Sequence, residues 1–410
     1  MQRNTSGKQV IQSRPERETG TYVPRSTGSQ VNLSPLAHQV LAFDEIMRLG
    51  SMTEIAVRPN FTPDALNDLN RALFALPADT AFGGSGLSPF FVEIPSVQLA
   101  LGNAIESHLA HRGRMPIRVL EIAAGVRNRW RYLSQTRSRF DVTLTDFAPH
   151  ILPPTAEREV GSNITLKTGV YDLHDPLQVS HADGGRFDVV LGTYAFDSVW
   201  LPGDKRYVKT QNGEWCVASY RISVPDFFEA QEKAAVLVAL RTGVWENIGG
   251  ISLLGLLQKL EIAEHLEPVD MQQVLYGAEI LARYDALPTA EVNVPGGLIQ
   301  RVQEAFETTI ASGGIFVIGD VAVINDKCYA EMSGSANHQL TRQYIKGHYT
   351  SGSVEKYNIQ DFGLAQQILE AQGFTVAIYN AREYAMRFAD IEQRRQLQVE
   401  GNQYIMVVSR

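Results

Sequence analysis

The stretch VLEIAAGVRNRW, Val119 to Trp130, sets one acid, Glu121, near the end of an apolar run and follows it with a small-residue turn, Ala123-Ala124-Gly125, before the chain turns basic. A strand that ends in a tight turn is where nucleotide-like ligands commonly sit. Neither full glycine-rich fingerprint is present. A P-loop needs a Gly-Lys-Ser/Thr ending, and a G-x-G-x-x-G turn needs glycine where Ala123 or Ala124 stands. Further acids repeat the pattern of the first: Asp146 closes VTLTD, Asp172 follows ITLKTGV, and Asp197 follows FDVVLGTYAF. The two cysteines, Cys216 and Cys328, fit no metal-ligand spacing, so no metal centre is expected. Neither His174 nor His348 earns a catalytic role from its surroundings in the sequence, because a lone histidine is more often a surface or hydrogen-bonded residue.

Those residues need a frame, and the hydrophobic pattern supplies one. IRVLEIAAG, FDVTLTDFAP, ITLKTGVYDL and FDVVLGTYAF are short, apolar and rich in β-branched residues, with Gly, Pro and Asp at their bounds, as buried parallel strands read. A fifth run, GGIFVIGDVAVI, comes much later, and GFTVAIYN and QYIMVVSR close the chain. NIQDFGLAQQILEAQGF, just ahead of the last two, reads as a helix ending at Gly373. Strands alternating with helices predict an α/β fold with a doubly wound, mostly parallel seven-stranded sheet and ligands at the carboxyl ends of its strands.

The rest divides by composition. Residues 1–34 hold almost no periodic apolar residues and are expected to be a disordered tail. Residues 35–113 read as an N-terminal helical region: TPDALNDLNRALFALPA has Thr62 and Pro63 as its start, SVQLALGNAIESHLAHRG starts at Ser96, and the glycine-rich FGGSGLSPFF between them is a candidate lid. Residues 114–200 hold the first part of the sheet and 296–410 the second. Residues 201–295 are too many for a plain connection. They read as a hairpin around Asn212-Gly213 followed by a large helical insert acting as a cap, with helices over VPDFFEAQEKAAVLVALRTG, GGISLLGLLQKLEIAEHLE and DMQQVLYGAEILARY; GGLIQRVQEAFETTIASGG would be the helix leading into the fifth strand.

Composition narrows the class of partner. At 410 residues, 44% apolar and 20% charged, the chain can bury a sizeable core. A net charge of -8 argues against a broad nucleic-acid-binding surface. The partner is therefore expected to be a small molecule or a protein. Two distant cysteines and the absence of a long apolar run lead to an expectation of cytoplasmic location without a membrane span. Apolar stretches such as ISLLGLLQKL exceed what one sheet edge covers, and a homodimer or a protein partner is expected to bury part of the insert.

An acid ending the first strand, a small turn, an acid ending the second strand, an acid after the third, and FDVVLGTYAF as the fourth: this series resembles the class I S-adenosylmethionine-dependent methyltransferases. The resemblance spans Ile117 to about Trp200, with the later strands in matching order. The family's first motif is commonly acid-x-G-x-G-x-G, where this chain has Glu121, Ala123, Gly125 and Arg127. Ala123 reads as a mild departure, on the expectation of a negative φ there; Arg127 places a long side chain where cofactor and backbone come close. The resemblance implies S-adenosyl-L-methionine as cofactor. It would be held by Glu121, Ala123 and Gly125 at the methionine end, by Asp146 on the ribose hydroxyls with Phe147 beside it, by Asp172 at the adenine amino group with Tyr171 by the ring, and by Thr193. Tyr194 and Asp197 would stand on the catalytic, acceptor side. The implied function is methyl transfer to a small-molecule or protein acceptor, with a catalytically silent binding or scaffold relative as the alternative. GLSPFF, YAFDSVWLPGDKRYVKTQNGEWCVAS and KGHYTSG are also similar in layout to the complex I assembly-factor methyltransferases, a distant kinship. Those commonly carry an Asn-Glu pair and an Asp-Ala-Leu-Pro run after the fourth strand, where this chain has Ala195-Phe196-Asp197-Ser198 and Leu201-Pro202. The acceptor is not carried over.

Overall fold

The computed structural model describes residues 95–112, 116–124, 138–146, 162–193, 195–196, 203–223, 261–324, 360–388 and 403–410, with residues 130, 152, 201, 232 and 391. Four parallel strands come first: β1 (Ile117–Ile122), β2 (Phe140–Asp146), β3 (Ile164–Val170) and β4 (Phe187–Thr193). β9 (Ile310–Val323) pairs parallel to β4, and the short β10 (Gln360–Asp361) pairs with β9. β12 (Gln403–Ser409) runs antiparallel between β9 and β11 (Thr375–Asn380). The path across the sheet is β11-β12-β9-β4-β1-β2-β3. It is the mostly parallel seven-stranded α/β sheet expected from the sequence.

Alternation along the strands explains why both faces are covered. Leu120, Ile122, Val190, Phe316, Ile318, Met406 and Val408 point into one apolar cluster, shared with Leu298, Ile299 and Val302 of α3 (Gly296–Glu304) and Leu364 and Ile368 of α4 (Phe362–Ala371). Their neighbours Val119, Val189, Leu191, Ile315, Val317, Ile405 and Val407 enter a second cluster with Ile105 of α1 (Pro95–His108) and Tyr384 of α5 (Ala381–Phe388). A period of 2 with apolar residues at every position sends one set to each face, so neither face can be left in water.

The insert between β4 and β9 departs from its expected form. In its described part it is an antiparallel sheet, β7-β6-β5-β8, made of β5 (Lys205–Lys209), β6 (Trp215–Ser223), β7 (Glu261–Pro268) and β8 (Ala290–Val294), with one short α-helix, α2 (Gly277–Tyr284). The hairpin forms where Asn212-Gly213 places it, Gly213 taking φ +79°. The large helical cap is corrected at Glu261–Pro268, a strand where the amphipathic pattern of GGISLLGLLQKLEIAEHLE predicts the end of a helix. Pairing with the outer edge of the long β6 satisfies that edge's backbone groups and overrides propensity. The helix read through Gly313-Gly314 likewise stops early. α3 ends at Glu304, one wide turn covers Ala305–Thr309, and β9 begins at Ile310. The expected helix at 224–243, the TPDALNDLNRALFALPA helix, the lid, the tail and all of ISLLGLLQKL lie outside the described residues.

β5 and β8 pair side by side from Lys205↔Val294 to Lys209↔Ala290, so the chain enters and leaves the insert at one place. Asp204 staples that place. Its carboxylate accepts from Leu201 N (2.8 Å) and from Gly297 N at the start of α3 (2.7 Å). Farther out, the Tyr284 hydroxyl on α2 donates to Asp361, which also caps α4 through Leu364 N (2.9 Å). Burial pushes the Asp361 carboxyl above the usual carboxylate range. A raised carboxyl stabilises the fold while it is protonated, so its contribution is whole below the unfolded value near about pH 4 and is lost as pH rises toward the folded one. Asp361→Asn keeps an acceptor for Leu364 N but cannot ionise. Denaturation of the two proteins across pH 4 to 8 is expected to show the wild type losing stability relative to the variant as pH rises; parallel curves would contradict the assignment.

Candidate functional site

The chain passes from β1 to β2 on one side and, after β3, returns to β4 on the other. Such a reversal opens a crevice beyond the carboxyl end of β1, since the connections leave in opposite directions. Four sequence-predicted groups stand at that edge. Glu121 is buried near the end of β1, its carboxylate accepting from Trp130 Nε1. Asp146 is the last residue of β2, 3% exposed. Tyr171 and Asp172 follow directly on β3, whose Val170 is in register with Asp146. Thr193, buried, ends β4 in register with Gly319 of β9.

The turn after β1 corrects one expectation. Ala123 takes φ +50°, in the left-handed region, rather than a negative φ. Ala124 N then donates to Thr145 O (2.9 Å), and Thr145 Oγ1 donates to Glu121 O (3.0 Å), so the neighbouring β2 holds the turn on both sides. Glycine adopts this conformation freely, whereas an L-residue pays about 1–2 kcal/mol in Cβ contacts. Strain of this kind concentrates at ligand-binding turns. Ala123→Gly is expected to keep or raise the thermal midpoint, and Ala123→Val to lower stability by about 1–2 kcal/mol, a β-branched residue being worse at positive φ. Thermal unfolding of both variants checks it. A stabilised valine variant would rule out the left-handed turn.

The segment after β3 is held more firmly than its sequence announces. Tyr171 and Leu173 join the core, and the Tyr171 hydroxyl, pushed up by burial and so a lasting donor, bonds Asp175 O (3.1 Å). Arg301 of α3, buried, donates from Nε to Leu173 O (3.0 Å) and pairs with Glu304, whose carboxylate accepts from Leu177 N (2.9 Å). Thr308 and Thr309 donate to Leu177 O (2.7 and 2.9 Å). Asp172 Oδ1 accepts from His174 N (3.0 Å) and faces His174 Nδ1 (2.9 Å).

Past β4, the backbone of Phe196 is held at both ends. Asp320 of β9, fully buried, accepts from its N–H (3.2 Å), and Gln360 of β10 donates to its carbonyl (3.1 Å). Arg301, Glu304, Asp320 and Gln360 are the residues that sequence reasoning missed. For Asp320 a signal existed: an acid inside the apolar run GGIFVIGDVAVI needs a polar partner to be buried. Gly125, Phe147, Tyr194 and Asp197 lie outside the described residues.

At the opposite, amino-terminal end of the strands, His181 sits between Asp141 (2.8 Å) and Asp183 (2.9 Å), with Lys167 and Arg118 paired to the same two acids. That cluster ties β1, β2 and β3 together away from the crevice. Among the described residues no group of His, Cys, Asp and Glu could hold a metal ion, and no helix is long and apolar enough to cross a membrane.

No protein-family model matches the sequence, and no curated protein does. Solved structures with some likeness include an uncharacterised protein from Burkholderia thailandensis (TM-score 0.44, 12% identity, 86% of this chain and 95% of that one). Another is the plantazolicin methyltransferase BpumL in complex with SAH (TM-score 0.38, 10% identity, 83% and 95%). A third is a loganic acid methyltransferase with SAH (TM-score 0.34, 10% identity, 80% and 98%).

Proposed function

We propose that the chain transfers a methyl group from S-adenosylmethionine to a small-molecule or protein acceptor. The observation that carries this reading is the meeting, at one crevice, of a strained turn after β1, a buried acid ending β2 and a braced loop after β3. These residues fit the group. A left-handed turn lets backbone N–H groups approach a ligand closely, a carboxylate is the group that accepts from ribose hydroxyls, and a buried imidazole nitrogen on the third segment, His174 Nε2, has no hydrogen-bond partner among the described residues.

In this reading Glu121, Ala123 and Gly125 shape the methionine end, Asp146 with Phe147 takes the ribose, Tyr171 and Asp172 bound the purine side, and Thr193 bounds the cofactor at the end of β4. When bound, the cofactor supplies a sulfonium methyl group that is open to in-line attack. The protein's share is to hold the acceptor in line and exclude water. Tyr194 and Asp197 fall on the acceptor's side because they follow β4, and Asp320 with Gln360 fixes the backbone between them at Phe196. The insert, rooted beside the same segment by Asp204, is suited to wall the acceptor site and to bear on a partner or a second copy of the chain.

Incubating the protein with S-adenosylmethionine and fractionated metabolite or peptide pools tests the activity. Release of S-adenosylhomocysteine that depends on one fraction is the expected result. A protein that binds the cofactor but releases no product with any fraction would instead be the catalytically silent relative.

A further inference from the structure

His174 Nε2 is buried and meets no hydrogen-bond partner among the described residues. Buried polar atoms are almost always satisfied, so such an atom, placed beyond the carboxyl end of a strand, calls for a ligand or water. The rest of the ring is fixed. Nδ1 and the backbone N–H of the same residue both meet one oxygen of Asp172, at 2.9 and 3.0 Å. A carboxylate facing Nδ1 places the proton there, which leaves Nε2 of the neutral ring as an acceptor. The loop beneath cannot yield easily, because Arg301 holds Leu173 O on one side of His174 and Glu304 holds Leu177 N on the other. Tyr171 and Leu173 turn into the core, whereas Asp172 and His174 are partly exposed.

We propose that Asp172 and His174 form a purine-recognition pair, in which the carboxylate orients the ring and Nε2 accepts a hydrogen bond from the exocyclic amino group of adenine. This rests on the cofactor reading above and changes one part of it. The direct contact to the amino group passes from Asp172 to His174, and Asp172 becomes the positioning residue. Recognition by an acceptor favours a purine with an amino group over one with a carbonyl at that position, because a carbonyl would face the acceptor nitrogen with no proton between them.

The test uses the full chain and two probes, S-adenosylhomocysteine and S-inosylhomocysteine, titrated by calorimetry. Wild type is expected to bind the adenosyl compound about tenfold or more tightly than the inosyl one. His174→Phe, which keeps the ring's bulk without its nitrogens, should bring the two affinities within about twofold, and His174→Gln, which keeps an acceptor near Nε2, should restore part of the difference. The wild-type comparison needs no variant, so it stands even where His174→Phe fails to fold. Equal affinity of wild type for both probes, or unchanged discrimination in a folded His174→Phe, overturns the pair while leaving cofactor binding intact. No binding of either probe to wild type overturns both the pair and the cofactor reading.

Discussion

Arg301→Ala is expected to lower folding stability by about 3 kcal/mol, the lower end of the cost of breaking a buried ion pair by removing one partner, because Glu304 keeps some contact with water. The loss has two parts. Glu304 is left without its cation, and Leu173 O is left without its donor from α3. Arg301→Lys should recover only part of it, since one ammonium cannot reproduce a planar fork that serves a carboxylate and a carbonyl together. Chemical denaturation of the three proteins measures the effect. The same variants should bind S-adenosylhomocysteine more weakly, because the loop that carries Asp172 and His174 loses its brace. A loss below about 0.5 kcal/mol, the range of ordinary surface substitutions, would show that the loop stands without α3.

The second large effect concerns affinity. Asp146→Ala should weaken S-adenosylhomocysteine binding by about 1.5–3 kcal/mol, the worth of hydrogen bonds to a charged group, which is tenfold or more in Kd. The fold should survive, since the residue ends its strand and its backbone carbonyl, which receives Tyr171 N (3.2 Å), is kept in the variant. Unchanged affinity would move the ribose away from β2.

How much of this was legible in the sequence depended on range. The strands were legible because runs such as FDVVLGT are apolar at every position, and burial on both faces of a sheet is what that requires. The hairpin was legible because Asn212-Gly213 supplies a positive φ where the turn needs it. β7 was not. Its residues favour a helix locally, and only the exposed edge of β6 makes it a strand. The braces of the site were hidden for the same reason. Arg301 meets a carbonyl 128 residues away, Asp320 an amide 124 away and Gln360 a carbonyl 164 away, and no local pattern encodes such pairings. At Ala123 the residue type pointed the wrong way. Alanine ordinarily signals negative φ, but the turn between β1 and its pinned neighbour Thr145 imposes the opposite sign.

Whether the crevice beyond β1 holds S-adenosylmethionine, as proposed, is decided by calorimetric titration of the full chain with S-adenosylhomocysteine. The expected result is saturable heat with one ligand per chain and a Kd well below about a millimolar, the limit where binding is worth only about -4 kcal/mol, with no comparable heat from a nicotinamide dinucleotide. No heat from either S-adenosylhomocysteine or S-adenosylmethionine at that concentration, in a protein that unfolds cooperatively on heating, would contradict it.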